Sequence, residues 1–176
     1  MKAQLRKEVI QKMKEIKGRE KEEADASLTQ RLLSSKAYQE ASTIASYLSM
    51  KHEFQTQVFI DQALADGKRL LIPKTYPQGR MIFVEYREED LRPTSFGLME
   101  PQSEVAVPKE EIDLIHVPGV VFNSDGYRIG YGAGYYDRYL ADYQGETIST
   151  IYACQCHEFE PDAHDIPVQK VEIYES

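Results

Sequence analysis

The 176-residue sequence predicts an α/β fold: a single-domain, three-layer, Rossmann-like arrangement with a mostly parallel central sheet flanked by helices. Three observations carry this expectation. Short β-branched and apolar runs alternate with stretches of helical period. The stretch 43–73 reads strand, helix, strand within about thirty residues, the pattern of a parallel crossover. The most apolar run, "DLIHVPGVVF" at Asp113–Phe122, lies mid-chain and reads as a central strand buried on both faces.

The elements follow in order. Leu5, Val9, Met13 and Ile16 form one apolar stripe of a first helix that Gly18 is placed to stop. Lys2 and Arg6 share a second face of that helix, one turn apart. Spacing alone reads them as a solvated basic face. A second helix is expected over Asp25–Ser35 and a short third over Lys36–Ala41. "TIASYLSM" at Thr43–Met50 is a strand by composition. Thr56 is a candidate N-cap for a helix whose buried face is Val58, Phe59, Ala63 and Leu64, with Gly67 as its stop.

"KRLLIP" and "GRMIFVEY" are the next two strands. Residues 87–112 are rich in charge, proline and glycine and read as a long irregular connection. Within Asp113–Phe122, Pro118 and Gly119 are expected to end the hydrogen-bonded ladder early. "NSDG" at Asn123–Gly126 is a turn. Tyr136, Leu140 and Tyr143 have helical spacing, and "TISTIYAC" and "KVEIYE" are the last strands.

Composition excludes several function classes. With 41% hydrophobic and 28% charged residues, the chain has the makeup of a globular protein able to bury a core without disulfides. No apolar run is long enough to span a bilayer. The charge-interrupted N-terminus is not a signal peptide, so a cytoplasmic location is expected. Net charge is −8, yet residues 1–23 carry eight Lys/Arg against five Asp/Glu, and the remainder thirteen against twenty-four. Such an acidic body disfavours nucleic acid as a partner, while the basic first helix suits one anionic ligand. Cys154 and Cys156 lack a second pair to complete a zinc site and read as ordinary reduced thiols.

The densest motif is "RIGYGAGYYDRYL", Arg128–Leu140. It lacks the G-x-x-x-x-G-K-[ST] of a Walker A loop. Gly130, Gly132 and Gly134 give G-x-G-x-G, and Tyr135 stands where a dinucleotide fingerprint needs its third glycine. Two readings stay open from the residues. One is a glycine turn whose Asp137 complements a helix dipole. The other is a backbone concavity for phosphate, with Asp137 reaching it through a cation such as Mg²⁺.

"VPGVVFNSDGYRIGYGAGYYDRYL", Val117–Leu140, resembles the signature of the 5-formyltetrahydrofolate cyclo-ligase family, roughly VPGLAFD-x-x-G-x-RLG-x-G-x-GYYDR. "KAQLRK", "YLSMKHEFQT", "FGLMEP" and "AHD" are similar to the family's flanking segments, so the likeness runs collinearly over nearly the whole chain. The resemblance implies a monomeric enzyme that converts 5-formyltetrahydrofolate and ATP, with Mg²⁺, to 5,10-methenyltetrahydrofolate, ADP and phosphate. It implies that Lys2 and Arg6 contact the ATP phosphates and that Arg128 clamps them. The nucleotide loop would continue through Ile129, Gly130, Tyr131, Gly132 and Ala133 to Gly134, Tyr135 and Tyr136. Arg6, Arg128 and Tyr131 are the positions it sets closest to the chemistry. Leu48, Met50 and Glu53 would hold the folate, bordered by Tyr131 to Tyr135. Asp137 and Asp165 would be the metal ligands.

Two positions depart from the family pattern. Asn123 replaces a frequent aspartate, at the expected loss of a turn contact. Tyr131 stands where some members carry arginine. His164 could orient Asp165, though a surface role is the simpler expectation. Two other classes compete: a non-catalytic nucleotide or folate binder, and an isomerase or coenzyme A transferase using Glu100 as its carboxylate.

Overall fold

The computed structural model describes residues 1–95 and 97–175. Three helices come first: α1 (Lys2–Glu15), α2 (Gly18–Ser34) and α3 (Lys36–Glu40). Then follow β1 (Thr43–Ala45), α4 (Gln57–Ala65), β2 (Arg69–Thr75) and β3 (Met81–Glu85). A short hairpin, β4 (Leu91–Pro93) and β5 (Met99–Pro101), precedes β6 (Leu114–His116). The chain closes with β7 (Val121–Phe122), β8 (Arg128–Ile129), α5 (Tyr135–Leu140), β9 (Glu146–Tyr152) and β10 (Lys170–Tyr174).

Six strands form the central sheet in the order β10-β9-β6-β1-β2-β3, parallel throughout except where β3 returns antiparallel beside β2. Alternation along the strands divides the side chains between two layers. Ile44, Leu70, Leu114 and Ile148 face Leu32, Tyr38, Phe59 and Ile60 of the helices on one side. Ala45, Leu71, Ile115 and Ile151 face Tyr136, Tyr139 and Leu140 of α5 on the other. A third apolar cluster joins Val9 and Met13 of α1 to Leu28, Phe54, Val120, Ile129 and Tyr152. It anchors α1 against the segments that leave the carboxyl ends of β1, β6 and β9.

Several sequence expectations need correcting. α2 starts at Gly18 instead of Asp25: α1 already ends at Glu15, with Ile16 as its extended cap, and the glycine read as its stop opens the next helix. β1 keeps only Thr43–Ala45 of the expected strand, because residues 46–56 turn back on themselves. Thr56 stands at the N-cap position of α4 as expected, but its side chain makes no cap hydrogen bond; its Oγ1 donates to the Tyr47 carbonyl at 2.6 Å and accepts from the Ser49 amide at 3.2 Å, closing that turn. The buried face of α4 is Phe59, Ile60 and Ala63, while Val58 and Leu64 are exposed. The connection 87–112 contains the β4–β5 hairpin. Residues 153–155 form a 3₁₀ turn, so the strand expected to run through Cys154 ends at Tyr152. The interruption at Pro118 and Gly119 is as expected, splitting β6 from β7.

His116 illustrates what holds the strand ends together. It is fully buried beside the rings of Tyr47, Phe54 and Phe59. Its Nδ1 pairs with Ser46 Oγ and its Nε2 with Thr150 Oγ1, each at 2.9 Å. One imidazole thus links the carboxyl end of β6 to those of both neighbouring strands. Burial lowers its pKa to about 3, so it stays neutral and serves as a satisfied core group.

Candidate active site

From β1 the chain builds the sheet toward β2 and β3; from β6 it builds the other way, toward β9 and β10. The boundary between β1 and β6 is a topological switch point, where open parallel sheets form a crevice at their carboxyl ends. The loops that leave those ends, residues 46–56 and 117–134, carry the folate and nucleotide positions that the resemblance implied.

A cavity of about 990 Å³ opens there. Its wall includes Lys2 and Arg6 of α1, the whole of Arg128 to Asp137, and Asp165. Residues far apart in sequence therefore meet around one glycine loop. Arg6 Nε donates to the Gly130 carbonyl at 2.7 Å. Lys2 Nζ lies 3.1 Å from Asp162 Oδ2 and 3.9 Å from Asp165 Oδ2. Arg138, Asp162 and the exposed His164 also line this cavity, although sequence reasoning did not put the first two in the site. The arginine directly after Asp137 was the available signal.

Arg128 is buried, and its Nε donates to the Pro118 carbonyl at 2.8 Å. Its guanidinium packs over the Tyr136 ring, 5.4 Å from the centroid, and Nη1 is 4.0 Å from Asp137 Oδ2. Burial lowers its pKa while Asp137 opposes that; a guanidinium remains charged under such conditions. Asp137 accepts from the Ile166 amide at 3.1 Å. Desolvation raises the Asp137 pKa, against the effects of that amide and of Arg128.

The alternating glycines have separate causes. A Cβ on Gly130 would lie 2.6 Å from Arg128 Nη2, so this glycine makes room for a guanidinium. Gly132 and Gly134 have φ of +108° and +75°, backbone that side-chain-bearing residues rarely adopt. A Cβ on either would meet nothing closer than 3.9 Å, leaving this part of the loop open to a ligand. Helix α5 is only six residues long, so the open loop and the cations, more than any helix dipole, are the features that suit this cavity to an anion.

Asp137 and Asp165 share the cavity, and the charge of Asp165 disfavours ionisation of Asp137. Among the described residues no group of three His, Cys, Asp or Glu could hold a metal. Two carboxylates on one cavity wall fit Mg²⁺, which takes one or two carboxylates together with substrate phosphates and water.

Of the positions expected to hold folate, Tyr131 to Tyr135 line this cavity, while Leu48, Met50 and Glu53 lie outside its wall and meet it at Tyr131. Leu48 is half-buried against the core, and Met50 is half-buried on the loop. Glu53 is 4% exposed, and its Oε1 accepts from the Met50 amide at 2.7 Å. Burial lifts its pKa to about 6 against that hydrogen bond, Tyr131 and Lys21. Tyr131 joins the two regions: its hydroxyl is 2.8 Å from His52 Nε2 and close to the Glu53 carboxylate. Sequence reading left His52 without a role, although it lies between two folate positions. Tyr135 is half-buried, whereas Tyr136 is a core residue edge-on to Phe83 whose hydroxyl has no hydrogen-bond partner among the described residues.

Asn123 does not lose the turn. Its Oδ1 accepts from the amides of Asp125 and Tyr127, and its Nδ2 donates to the Phe159 carbonyl. Glu100 lies on β5, away from the cavity wall, which removes the carboxylate that an isomerase or transferase reading required. Cys154 and Cys156 are free thiols whose pKa values burial raises. No helix among the described residues is long and apolar enough to cross a membrane.

Comparison with known proteins identifies the family. The 5-formyltetrahydrofolate cyclo-ligase family profile matches residues 1–174. The chain is 32% identical to the 5-formyltetrahydrofolate cyclo-ligase of Mus musculus, covering 97% of this chain and 92% of that one. It is 29% identical to the enzyme of the same name from Haemophilus influenzae, over 94% and 93% of the two chains. Among solved structures, 5,10-methenyltetrahydrofolate synthetase of Aquifex aeolicus superposes with a TM-score of 0.84 at 30% identity, over 98% of this chain and 89% of that one. The Mycoplasma pneumoniae synthetase superposes with a TM-score of 0.79 at 29% identity, over 97% and 96%.

Proposed function

Because the chain belongs to the 5-formyltetrahydrofolate cyclo-ligase family, we propose that it closes 5-formyltetrahydrofolate to 5,10-methenyltetrahydrofolate at the expense of ATP, using the residues around the glycine loop. One observation carries the residue assignment. Lys2, Arg6, Arg128, Asp137 and Asp165 converge on a single cavity, which meets the Glu53 loop at Tyr131.

The chemistry asks for little beyond placement and charge. A formamide oxygen is a poor leaving group. In this reading it attacks the γ-phosphorus of ATP, the bond to the β,γ-bridging oxygen breaks, and ADP departs. The lone pair of N10 then adds to the activated formyl carbon. The carbon–oxygen bond breaks, phosphate leaves with the oxygen, and N10 loses its proton. Phosphoryl transfer of this kind depends on positioning and on neutralising charge. Arg6 and Arg128 supply directional donors and Lys2 a mobile charge. Gly132 to Gly134 offer open backbone. Asp137 and Asp165 would hold Mg²⁺, which when bound neutralises phosphate charge.

Glu53 is suited to the pterin. A buried carboxylate accepts hydrogen bonds from ring N–H donors, and Met50 and Leu48 supply apolar surface nearby. Tyr131 touches both regions and orders one ligand with respect to the other.

The decisive experiment mixes protein, 5-formyltetrahydrofolate and MgATP, and follows the methenyl chromophore together with ADP. Stoichiometric appearance of both is expected. Binding of both ligands without turnover would sink the proposal in favour of a passive binder. Turnover that persists without ATP would sink it in favour of another reaction class.

A further inference from the structure

Closing the ring takes a proton from N10, and the carboxylates of the phosphate cavity are already engaged. Asp162 pairs with Lys2 at 3.1 Å, and Asp165 faces the same ammonium. Asp137 accepts from the Ile166 amide and faces Arg128. Of the four histidines, His116 has both ring nitrogens engaged in the core. His157 lies outside the cavity wall, and His164 lines it next to Asp165. His52 is placed differently. Its Nε2 is 2.8 Å from the Tyr131 hydroxyl, with the two rings edge-on and 6.2 Å apart.

N10 adds to the formyl carbon whose oxygen has taken the phosphoryl group, so it gives up its proton where the pterin and the phosphates meet. Tyr131 joins the Glu53 loop to the glycine loop, and it is 42% exposed, so a ligand can reach it. Burial and then the Glu53 carboxylate raise its pKa. The hydroxyl therefore stays neutral. It cannot stand in as a cation for the arginine that some family members carry there, but it can pass a proton on without storing one. His52 can store one. It is half-buried and also lines a surface groove of about 540 Å³ where α1 meets α2 and the loop after β1, which gives its ring access to water.

We propose that Tyr131 and His52 carry the N10 proton out of the site, Tyr131 touching N10 and His52 acting through it. This inference rests on the cyclo-ligase reading for the identity of the reaction. Pterin N–H donors occupy Glu53, which frees the Tyr131 hydroxyl to donate to His52 Nε2. As the new bond to the formyl carbon forms, the N10 proton moves to the Tyr131 oxygen and the N–H electron pair stays on N10. The Tyr131 proton passes to His52 Nε2, so the hydroxyl ends neutral. The imidazolium then loses its Nδ1 proton to water. The route needs a neutral imidazole at the start. Lys14 and Lys21 add to the effect of burial in keeping the His52 pKa low; Lys51, Glu22 and Asp25 line the same groove, and Glu53 adjoins on the same loop.

The test follows single-turnover formation of the methenyl product by the full chain, with MgATP and 5-formyltetrahydrofolate saturating. His52→Gln can still bond Tyr131 but takes no proton. Its rate should fall about a hundredfold, the low end for a general base, while the dissociation constants of both ligands move by less than about twofold, as for a surface substitution. Tyr131→Phe should slow the reaction as much, and the double variant no further, because the two groups act as one unit. In the parent the rate should fall as pH drops through the His52 pKa, since a protonated ring accepts nothing. Glu53 titrates at about 6 but is retained in His52→Gln, so only the His52 share of that acid limb should disappear. Imidazole added to the buffer should restore His52→Gly at least about tenfold and leave Tyr131→Phe unrescued. Turnover by the parent with an unchanged rate in His52→Gln would overturn the proposal and leave the reaction assignment standing. A slower His52 variant with weakened ligand binding and no rescue by imidazole would show a merely structural role and overturn it too. No turnover by the parent would mean that the reaction assignment itself has failed, and the proton route with it.

Discussion

Arg6 Nε donates to the carbonyl oxygen of Gly130 at 2.7 Å, joining the N-terminal helix to the glycine loop across 124 positions of sequence. One guanidinium thereby faces the cavity and braces the loop that forms its wall. Arg6→Ala should remove both effects. Charge-assisted hydrogen bonds contribute about 1.5–3 kcal/mol, so the KM for ATP should rise at least about tenfold. The KM for 5-formyltetrahydrofolate should move much less. Equal losses for the two ligands, measured by steady-state kinetics, would contradict the assignment.

Arg128 should behave differently, because it is buried and donates to the Pro118 carbonyl. Arg128→Ala leaves that carbonyl without its donor and Asp137 without its cation. A loss of about 2–3 kcal/mol of folding stability is expected beside the weakened ATP affinity. Chemical denaturation of the two variants separates them: Arg6→Ala should unfold near the parent midpoint, and Arg128→Ala clearly below it.

The glycines can be told apart in the same way. In Gly130→Ala the new methyl would displace the Arg128 side chain, so ATP affinity should fall with little strain in the backbone. In Gly134→Ala nothing is crowded, but the φ of +75° costs about 1 kcal/mol or more in folding stability. A fall in thermal midpoint for Gly130→Ala as large as for Gly134→Ala would refute this division.

Glu53 sets function against stability. Its folded pKa is about 6, above the ordinary 4.5. Between those values the folded state holds a proton that the unfolded state has lost. Stability therefore falls as pH rises through this window, by about 2 kcal/mol in full. Glu53→Gln removes the ionisation. It should unfold at higher denaturant than the parent at pH 7.5 and lose that advantage near pH 4.5, while binding folate more weakly at neutral pH. A denaturant midpoint difference independent of pH would show that the buried charge is not the cause.

The magnesium assignment has its own test. Asp137→Asn keeps an oxygen for the Ile166 amide yet removes a carboxylate. The concentration of Mg²⁺ giving half-maximal rate should rise several-fold in this variant and in Asp165→Asn. An unchanged Mg²⁺ dependence in both would move the metal elsewhere.

Much of this protein is local and was therefore legible in one dimension. Strand composition at Leu70–Ile72 and Leu114–His116, helical spacing at Val9 and Met13, and the stop at Gly67 depend on neighbours a few residues away. The signature at Val117–Leu140 also lies in one stretch, so its glycines, Arg128 and Asp137 could be read together as a candidate phosphate site. Pairings across the fold are what the sequence could not determine. Gly130 reads as an opening for phosphate until Arg128 is seen packed where its Cβ would be. Thr56 reads as a helix cap until its hydroxyl is found on the Tyr47 carbonyl. His52 acquires a partner only when the loops after β1 and β6 meet at the switch point, 79 positions apart in the chain. Local periodicity comes from backbone geometry repeated every few residues. Which side chain completes which hydrogen bond depends on how the layers pack, and that is decided only in the folded molecule.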